Sequence, residues 1–296
     1  MSEATIKGIK PWILATRPKT LTAAVIPVLV ASAVASQVAD IDWSLGFCAL
    51  IASLFIQIGT NLINDALDFK RGADTQERLG PLRATQMGWL KPQQVLAGGC
   101  ASFFLAVLFS IPLVMQGGVF LLGVLALSIA CGYLYTGGPR PLAYVGLGDV
   151  FVLLFYGWIG TLTMFYIYTG EVSYKAFLAG TQIGLLCTSI IAVNNFRDMY
   201  TDAKANKQTL AVRFGETFSR FEILFLMAVP YVLSFVWLTN GSPYAAMLTW
   251  LTLPLATHVV SKLWTHNPSP LFNQFFALTC LHYLLFGLLL AIGLVM

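Results

Sequence analysis

The chain has 296 residues, of which 57% are hydrophobic and only 10% charged, and its mean hydropathy is +0.76. Soluble domains carry about 25% charged residues, so a water-soluble fold of this length is excluded: it would leave too much apolar surface in contact with water. The formal net charge of +4 is small; its distribution matters more than its size, and no nucleic-acid partner is expected.

The expected fold class is all-α, a polytopic protein of the lipid bilayer with about nine transmembrane helices at roughly 20 residues each, in one domain over 1–296. Residues 1–20 are polar and lack an A-x-A site, so no cleavable signal is expected. Within them KGIKPWILATRPKT (7–20) mixes basic residues with Trp12, Ile13 and Leu14, as a short helix lying at the cytoplasmic interface would. Apolar runs follow at 21–37, 44–64, 94–113, 118–136, 147–168, 175–194, 219–239, 243–263 and 273–296. Trp43, Trp89, Trp237 and Trp264 fall near span ends, where interfacial anchors belong. Cys48, Cys100, Cys131, Cys187 and Cys280 sit singly in apolar runs without metal spacing and read as small core residues.

Nine spans send alternate loops to opposite sides. Every Lys and Arg except Lys175 then falls on one side, which the positive-inside rule makes cytoplasmic. The N-terminus is expected there, and the C-terminus outside. The acidic residues of two loops, among them Asp65, Asp68, Asp74, Asp198 and Asp202, share that side. Chemistry is therefore expected at the cytoplasmic face.

The second span ends in NLINDALDFKRGADTQERLGPLR, where Asn61, Asp65 and Asp68 share one helical face. The sixth ends in NNFRDMYTDAKANKQTLAVRFG, with Asn194, Asp198 and Asp202 on one face. The match of Asn61–Asp65 to Asn194–Asp198 reads as a faint internal repeat. Carboxylates near a membrane core are expensive and usually face a polar cavity. Brought together, they repel unless a divalent cation joins them, and oxygen-only ligands suit Mg²⁺ bridging carboxylates and phosphates. Lys70, Arg71, Arg78, Arg83, Arg197, Lys207 and Arg213 stand ready for the remaining phosphate oxygens. The pattern describes a metal–diphosphate site at the mouth of an apolar cavity long enough for an isoprenoid tail. A single acid at a helix end is usually a solvated terminus; two similar clusters on equivalent spans are harder to dismiss.

Other positions allow two readings. Tyr135 and Arg140, in the loop CGYLYTGGPRPLAYVGLGD (131–149), either clamp a diphosphate and orient an acceptor or belong to a plain turn. Asp149 either lies in the cavity or favours the positive end of its helix. Arg17 and Lys19 contact a substrate carboxylate or lipid headgroups. His258, His266 and His282 have no ligand partners and read as packed or surface residues.

With RPKT (17–20), the two Asp motifs, RLGPLR (78–83) and GPRPL (138–142), the sequence resembles the UbiA superfamily of membrane prenyltransferases over essentially its whole length. The form D-x-x-D-x-x-x-G-x-D-T points to the branch that prenylates naphthoates in menaquinone biosynthesis. The resemblance implies a helical bundle around a central cavity in the cell membrane. It also implies Mg²⁺-dependent transfer of a polyprenyl group from polyprenyl diphosphate to 1,4-dihydroxy-2-naphthoate, with decarboxylation and release of diphosphate. Asp65, Asp68, Asp198 and Asp202 would hold metal, supported by Asn61, Asn64, Asn194 and Asp74. Arg78, Arg83, Arg197, Lys207, Tyr135 and Arg140 would hold diphosphate, with Arg17 and Asp149 as acceptor or cavity residues. Where many members carry a third Asp, this chain has Gly72, leaving Asp74 as its replacement. Two alternatives stay open: another acceptor ring such as 4-hydroxybenzoate or homogentisate, and a membrane transporter.

Overall fold

The computed structural model describes residues 8–75 and 77–296; Lys7, at the start of the expected interfacial segment, lies outside them. Every regular element among the described residues is helical. In chain order these are α1 Lys10–Ala15, a 3₁₀ turn Pro18–Thr20, α2 Thr22–Ala35, α3 Trp43–Lys70 and α4 Pro92–Leu134. A second 3₁₀ turn, Leu142–Val145, leads to α5 Gly148–Val152, which runs through a π-helical turn, Leu153–Ile159, into α6 Gly160–Thr169. There follow α7 Tyr174–Lys204, α8 Leu210–Thr239, α9 Pro243–Trp250, α10 Leu253–Thr265 and α11 Phe272–Val295. Polar caps start three of the long helices, α3, α7 and α8: Asp42 accepts from Ser44 N at 2.9 Å, Ser173 from Lys175 N at 3.2 Å and Thr209 from Val212 N at 3.3 Å.

Six of these helical stretches are long and apolar enough to cross a bilayer, or seven if Lys10–Thr20 and Thr22–Ala35, bent by 47°, form one broken span. The expected count of about nine is not reproduced on that measure, for two local reasons. Residues 94–113 and 118–136 run together in the 43-residue α4, interrupted only at Gly118, whose φ is 63° and ψ −153°. Phe103 from the first half and Gly132 from the second meet beside Gly59 and Thr60 of α3, so the two halves are arms folded back at Gly118. Residues 243–263 instead divide into α9 and α10, each too short to qualify alone.

The core lies around α7, which is buried along most of its length between α8, α11, α2 and the π-turn. Its contact with the π-turn is main chain against main chain. A Cβ on Gly157 would stand 2.7 Å from Gly180 O and 2.9 Å from Gly184 Cα, so only glycine fits at that crossing.

Several expectations change here. Trp237 is not an interfacial anchor: it is fully buried and its indole N–H donates to Gln182 Oε1 at 2.7 Å. Trp43 and Trp264 are exposed, as anchors would be. Cys187 and Cys280 are core residues, but Cys100 is exposed on the outer face of α4. His282 is packed, 2.7 Å from Tyr231 Oη, and His258 is exposed. In α1, Ile13 and Leu14 are exposed while Trp12 packs against a small cluster containing Ala15, Leu62 and Val95.

Candidate active site

The site starts where α3 stops. Gly72, at φ 73°, ends the helix in a Schellman turn: Ala73 N donates to Asp68 O and Gly72 N to Phe69 O, both at 3.0 Å. A third aspartate here would have to adopt a left-handed backbone, which explains the departure at this position. The turn sends the following loop back over the helix end. There Ala84 N and Thr85 N donate to the Asp65 carboxylate at 3.1 and 3.2 Å, and the Thr85 hydroxyl also bonds Asp65.

That loop carries two arginines into the acidic cluster. Arg83 Nη2 lies 2.9 Å from Asp68 Oδ2 and Arg83 Nε 3.3 Å from Asp74 Oδ1; Arg78 Nη1 lies 2.8 Å from the same Asp74 oxygen. Tyr144 donates to Asp68 Oδ1 at 3.0 Å. A valine in place of Gly72 is expected to cost about 1–2 kcal/mol, because a β-branched residue is strained there. The variant should melt earlier in detergent and turn over more slowly; unchanged melting and turnover would show that the reversal does not position this loop.

The second cluster ends α7. Arg197, itself buried, donates to Asp198 through Nε at 2.8 Å and Nη2 at 2.6 Å, to Asn194 Oδ1 at 2.8 Å and to Asn273 Oδ1 of α11 at 2.9 Å. Asp202 pairs with Lys207 at 3.3 Å. Asn273 Nδ2 donates in turn to Leu79 O at 2.8 Å, tying the loop of the first cluster to the arginine of the second. The closeness shows again at Gly80, where a Cβ would stand 2.6 Å from Arg197 Nη2 and 2.9 Å from Arg78 Nη2. The ends of the two clusters therefore lie side by side. The partners of the repeat differ, however: Asn61 donates to Thr16 O and Asn194 accepts from Arg197.

Charge is unevenly compensated across this site. Burial works against the Arg83 cation, but Asp74, Asp68 and Asp65 around it more than offset that and raise its pKa. Burial and the neighbouring Arg83 leave Arg78 below the usual guanidinium value despite Asp74 and Asp198. Burial, with Asp68 beside it, pushes the Tyr144 phenol well up, so it is a donor at neutral pH. Arg78 thus carries positive charge that the protein does not fully balance, which suits an incoming anion.

A cavity of about 580 Å³ opens beneath. Arg17, Asn61, Asn64, Asp65, Arg78, Arg83, Tyr135, Asn194 and Arg197 line its polar end; Pro27, Val28, Ala49, Leu113, Leu121 and Met164 are among the residues of its apolar part. Arg17 has φ 53°, and its Nη2 is buried without a hydrogen-bond partner, which favours the substrate reading over lipid. Lys19 lines the same end. Asp68, Asp74, Asp198, Asp202 and Lys207 stand behind that surface in ion pairs.

Two expectations are corrected. Arg140 is exposed and does not line the cavity. Its loop is pinned by Arg71 to Gly138 O at 2.5 Å and by Arg213 to Val145 O at 2.9 Å, and this turns Tyr144 inward instead. Asp149 is buried in the first turn of α5, 3.5 Å from Asn195 Nδ2, and does not line the cavity either. Thr85, Tyr144 and Asn273 were not singled out in the sequence. The first two lie in or beside quoted motifs; Asn273 opens an apolar span with no local signal.

Among the described residues no three His, Cys, Asp or Glu side chains stand close enough to hold a metal ion. The carboxylates are instead closed against arginine, lysine, threonine and tyrosine. The donor set nonetheless fits a hard divalent cation: it is all oxygen, and Asp74 Oδ2 is buried with no hydrogen-bond partner.

Comparison with known proteins agrees with this architecture. The model of the UbiA prenyltransferase family matches residues 24–281. A 1,4-dihydroxy-2-naphthoate octaprenyltransferase of Bacillus subtilis (strain 168) is 33% identical over 291 residues, covering 96% of this chain and 91% of that protein. Among solved structures, the apo form of a UbiA homolog from Aeropyrum pernix K1 superposes with a TM-score of 0.71 at 14% identity, over 92% of this chain and 97% of that one. A UbiA homolog from Archaeoglobus fulgidus bound to GPP and Mg²⁺ gives 0.66 at 18% identity, over 95% and 99%. Helical architecture, neighbouring Asp motifs and a family match across most of the sequence converge: the chain belongs to the UbiA prenyltransferase family and is an integral membrane transferase.

Proposed function

We propose that the protein transfers a polyprenyl group from polyprenyl diphosphate to 1,4-dihydroxy-2-naphthoate, releasing carbon dioxide and diphosphate and giving demethylmenaquinol. The observation that carries this reading is the cavity itself, with a cationic and amide-rich end and an otherwise apolar wall. A diphosphate needs the first and a prenyl tail the second. The name of the Bacillus subtilis relative supports the choice of acceptor. The placement of every Lys and Arg but Lys175 on one side of the expected spans supports a cytoplasmic mouth and N-terminus.

Arg78, Arg83 and Arg197 bind the diphosphate end, and Tyr135 lines the same region. Arg17, with its unpartnered Nη2, neutralises either phosphate or acceptor carboxylate. Asp65, Asp68, Asp198 and Asp202, assisted by Asn61, Asn64, Asn194 and Asp74, would hold magnesium. When bound, the ion supplies positive charge against the leaving diphosphate, as the Mg²⁺ named with the Archaeoglobus fulgidus homolog suggests.

The C1–O bond of the prenyl diphosphate breaks and its electron pair leaves with the phosphate oxygen. A ring π pair forms the new C–C bond between the carboxylate-bearing ring carbon and C1. The carboxylate then departs as carbon dioxide, and its bonding pair restores the aromatic ring. The residues act by positioning and by fixed charge, while the apolar wall keeps water from the allylic carbon. Purified protein given the naphthoate, a prenyl diphosphate and Mg²⁺ is expected to form the decarboxylated prenyl product by mass spectrometry, and EDTA should abolish it. Product from 4-hydroxybenzoate or homogentisate but not the naphthoate would overturn the acceptor. Solute flux into proteoliposomes without diphosphate release would overturn the enzyme class.

A further inference from the structure

Below the cationic mouth the wall of the cavity is apolar except at a few places, and one of them is costly. Gln57 lies on the same face of α3 as Asp65 and Asn61, two turns deeper, about 12 Å along the helix at 1.5 Å per residue. It is 7% exposed, lines the cavity, and its Oε1 accepts a hydrogen bond from the Tyr156 hydroxyl. Its Nε2 donates to Asn61 Oδ1 at 3.3 Å. Tyr156 also lines the cavity, and it is presented by the π-helical turn Leu153–Ile159. Such turns are rare and recur at functional sites; this one carries the phenol to α3 from the opposite wall.

A prenyl tail offers nothing to hydrogen bond, so laying it against an amide and a phenol leaves their remaining valences desolvated and unmet. Those valences can be counted. Tyr156 Oη, having donated its proton, can still accept; Gln57 Oε1 keeps its second lone pair and Nε2 keeps one N–H. An acceptor beside a donor is the complement of a hydroxyl group.

We propose that the Gln57–Tyr156 pair is the subsite for a phenolic hydroxyl of the aromatic acceptor, and that it discriminates between acceptors by that group. The proposal rests on the aromatic-acceptor reading above. It places the acceptor ring between the mouth and the apolar tract, its carboxylate toward the cationic end and the remote 4-hydroxyl held between α3 and the π-turn. A site built to hydrogen bond a hydroxyl rejects the analogue that lacks it, because the pair is then left unsatisfied.

The test uses the full-length protein in detergent micelles with two near-isosteric variants, Tyr156→Phe and Gln57→Met. Each is compared with the unaltered enzyme on 1,4-dihydroxy-2-naphthoate and on 1-hydroxy-2-naphthoate. The expected result is a rise of about tenfold in KM for the dihydroxy acceptor, the size of one lost hydrogen bond. KM for prenyl diphosphate should stay within about twofold, and the preference for the dihydroxy over the monohydroxy acceptor should shrink. Unchanged acceptor KM and preference in both variants, or a shift confined to KM for prenyl diphosphate, would overturn the proposal and assign the pair to helix packing or the tail. If the unaltered enzyme uses a different hydroxyarene, the acceptor reading above fails. The ratio of variant to unaltered KM, measured on that arene against its deoxy analogue, still decides this one.

Discussion

Replacing Asp198 with alanine is expected to lower turnover by about a hundredfold or more, equivalent to about 3 kcal/mol of barrier. The carboxylate is buried and held by two donors of Arg197. Its loss removes an oxygen that would face the metal and also frees a guanidinium that is 1% exposed. An unpaired buried charge can cost about 3–5 kcal/mol of stability, so a fall in activity alone could report unfolding. Asp198→Asn separates the two effects: it keeps an oxygen acceptor for Arg197 while removing the negative charge. The expected outcome is a smaller loss of melting temperature than in Asp198→Ala, because one acceptor for Arg197 remains, with turnover depressed to the same extent, measured at saturating Mg²⁺. Near-native turnover in either variant would end the assignment of this carboxylate to the site. Asp65→Ala should behave similarly, with a larger structural loss because Asp65 also holds Ala84 and Thr85.

The second large effect is expected at Arg83. This side chain reaches Asp68 through Nη2 and Asp74 through Nε, and its loop is further fixed by Thr85 on Asp65. Arg83→Gln takes from Asp68 its ion-pair partner, leaves Asp74 to Arg78 alone, and removes positive charge from the cavity mouth. A drop of about a hundredfold in kcat/KM is predicted, carried mainly by KM for prenyl diphosphate, since the guanidinium acts on the phosphate end. Lysine should not rescue it, because an ammonium cannot serve two carboxylates in the fixed fork of a guanidinium. Steady-state kinetics varying each substrate in turn checks this. A KM for prenyl diphosphate unaffected by Arg83→Gln would remove the residue from diphosphate binding.

Much of this site was legible because its signals are local. Asn61, Asp65 and Asp68 share a face by spacing alone, and the same holds for Asn194, Asp198 and Asp202. Because the rows fall on spans running the same way, both were expected at one face of the membrane; that they meet is seen only in the fold, at Asn273 and Gly80. What the sequence could not carry was the pairing. Nothing in 78–85 says that Arg83, rather than Lys70 or Arg71, enters the acidic cluster; that depends on the reversal at Gly72 and on Thr85 reaching Asp65. Arg140 was misjudged for a related reason, since backbone contacts from Arg71 and Arg213 decide which side of its loop faces in. Asn273 was invisible because its partner Arg197 lies 76 positions away. Trp237 was misplaced because hydropathy cannot tell a ring at the headgroup level from one turned toward Gln182.

The crossing of Gly157 with Gly180 and Gly184 has a consequence for how such a chamber can diversify. Where two strands of main chain touch without side chains between them, the separation of those walls is set by the polypeptide itself and has almost no slack. Residues that the π-turn projects into the cavity before and after Gly157, such as Phe155 and Ile159, can then be exchanged for larger or smaller ones while the frame stays put. Substrate preference becomes a property of a handful of replaceable projections mounted on an unyielding hinge-free seam, so new selectivities can be reached by single substitutions without rebuilding the scaffold.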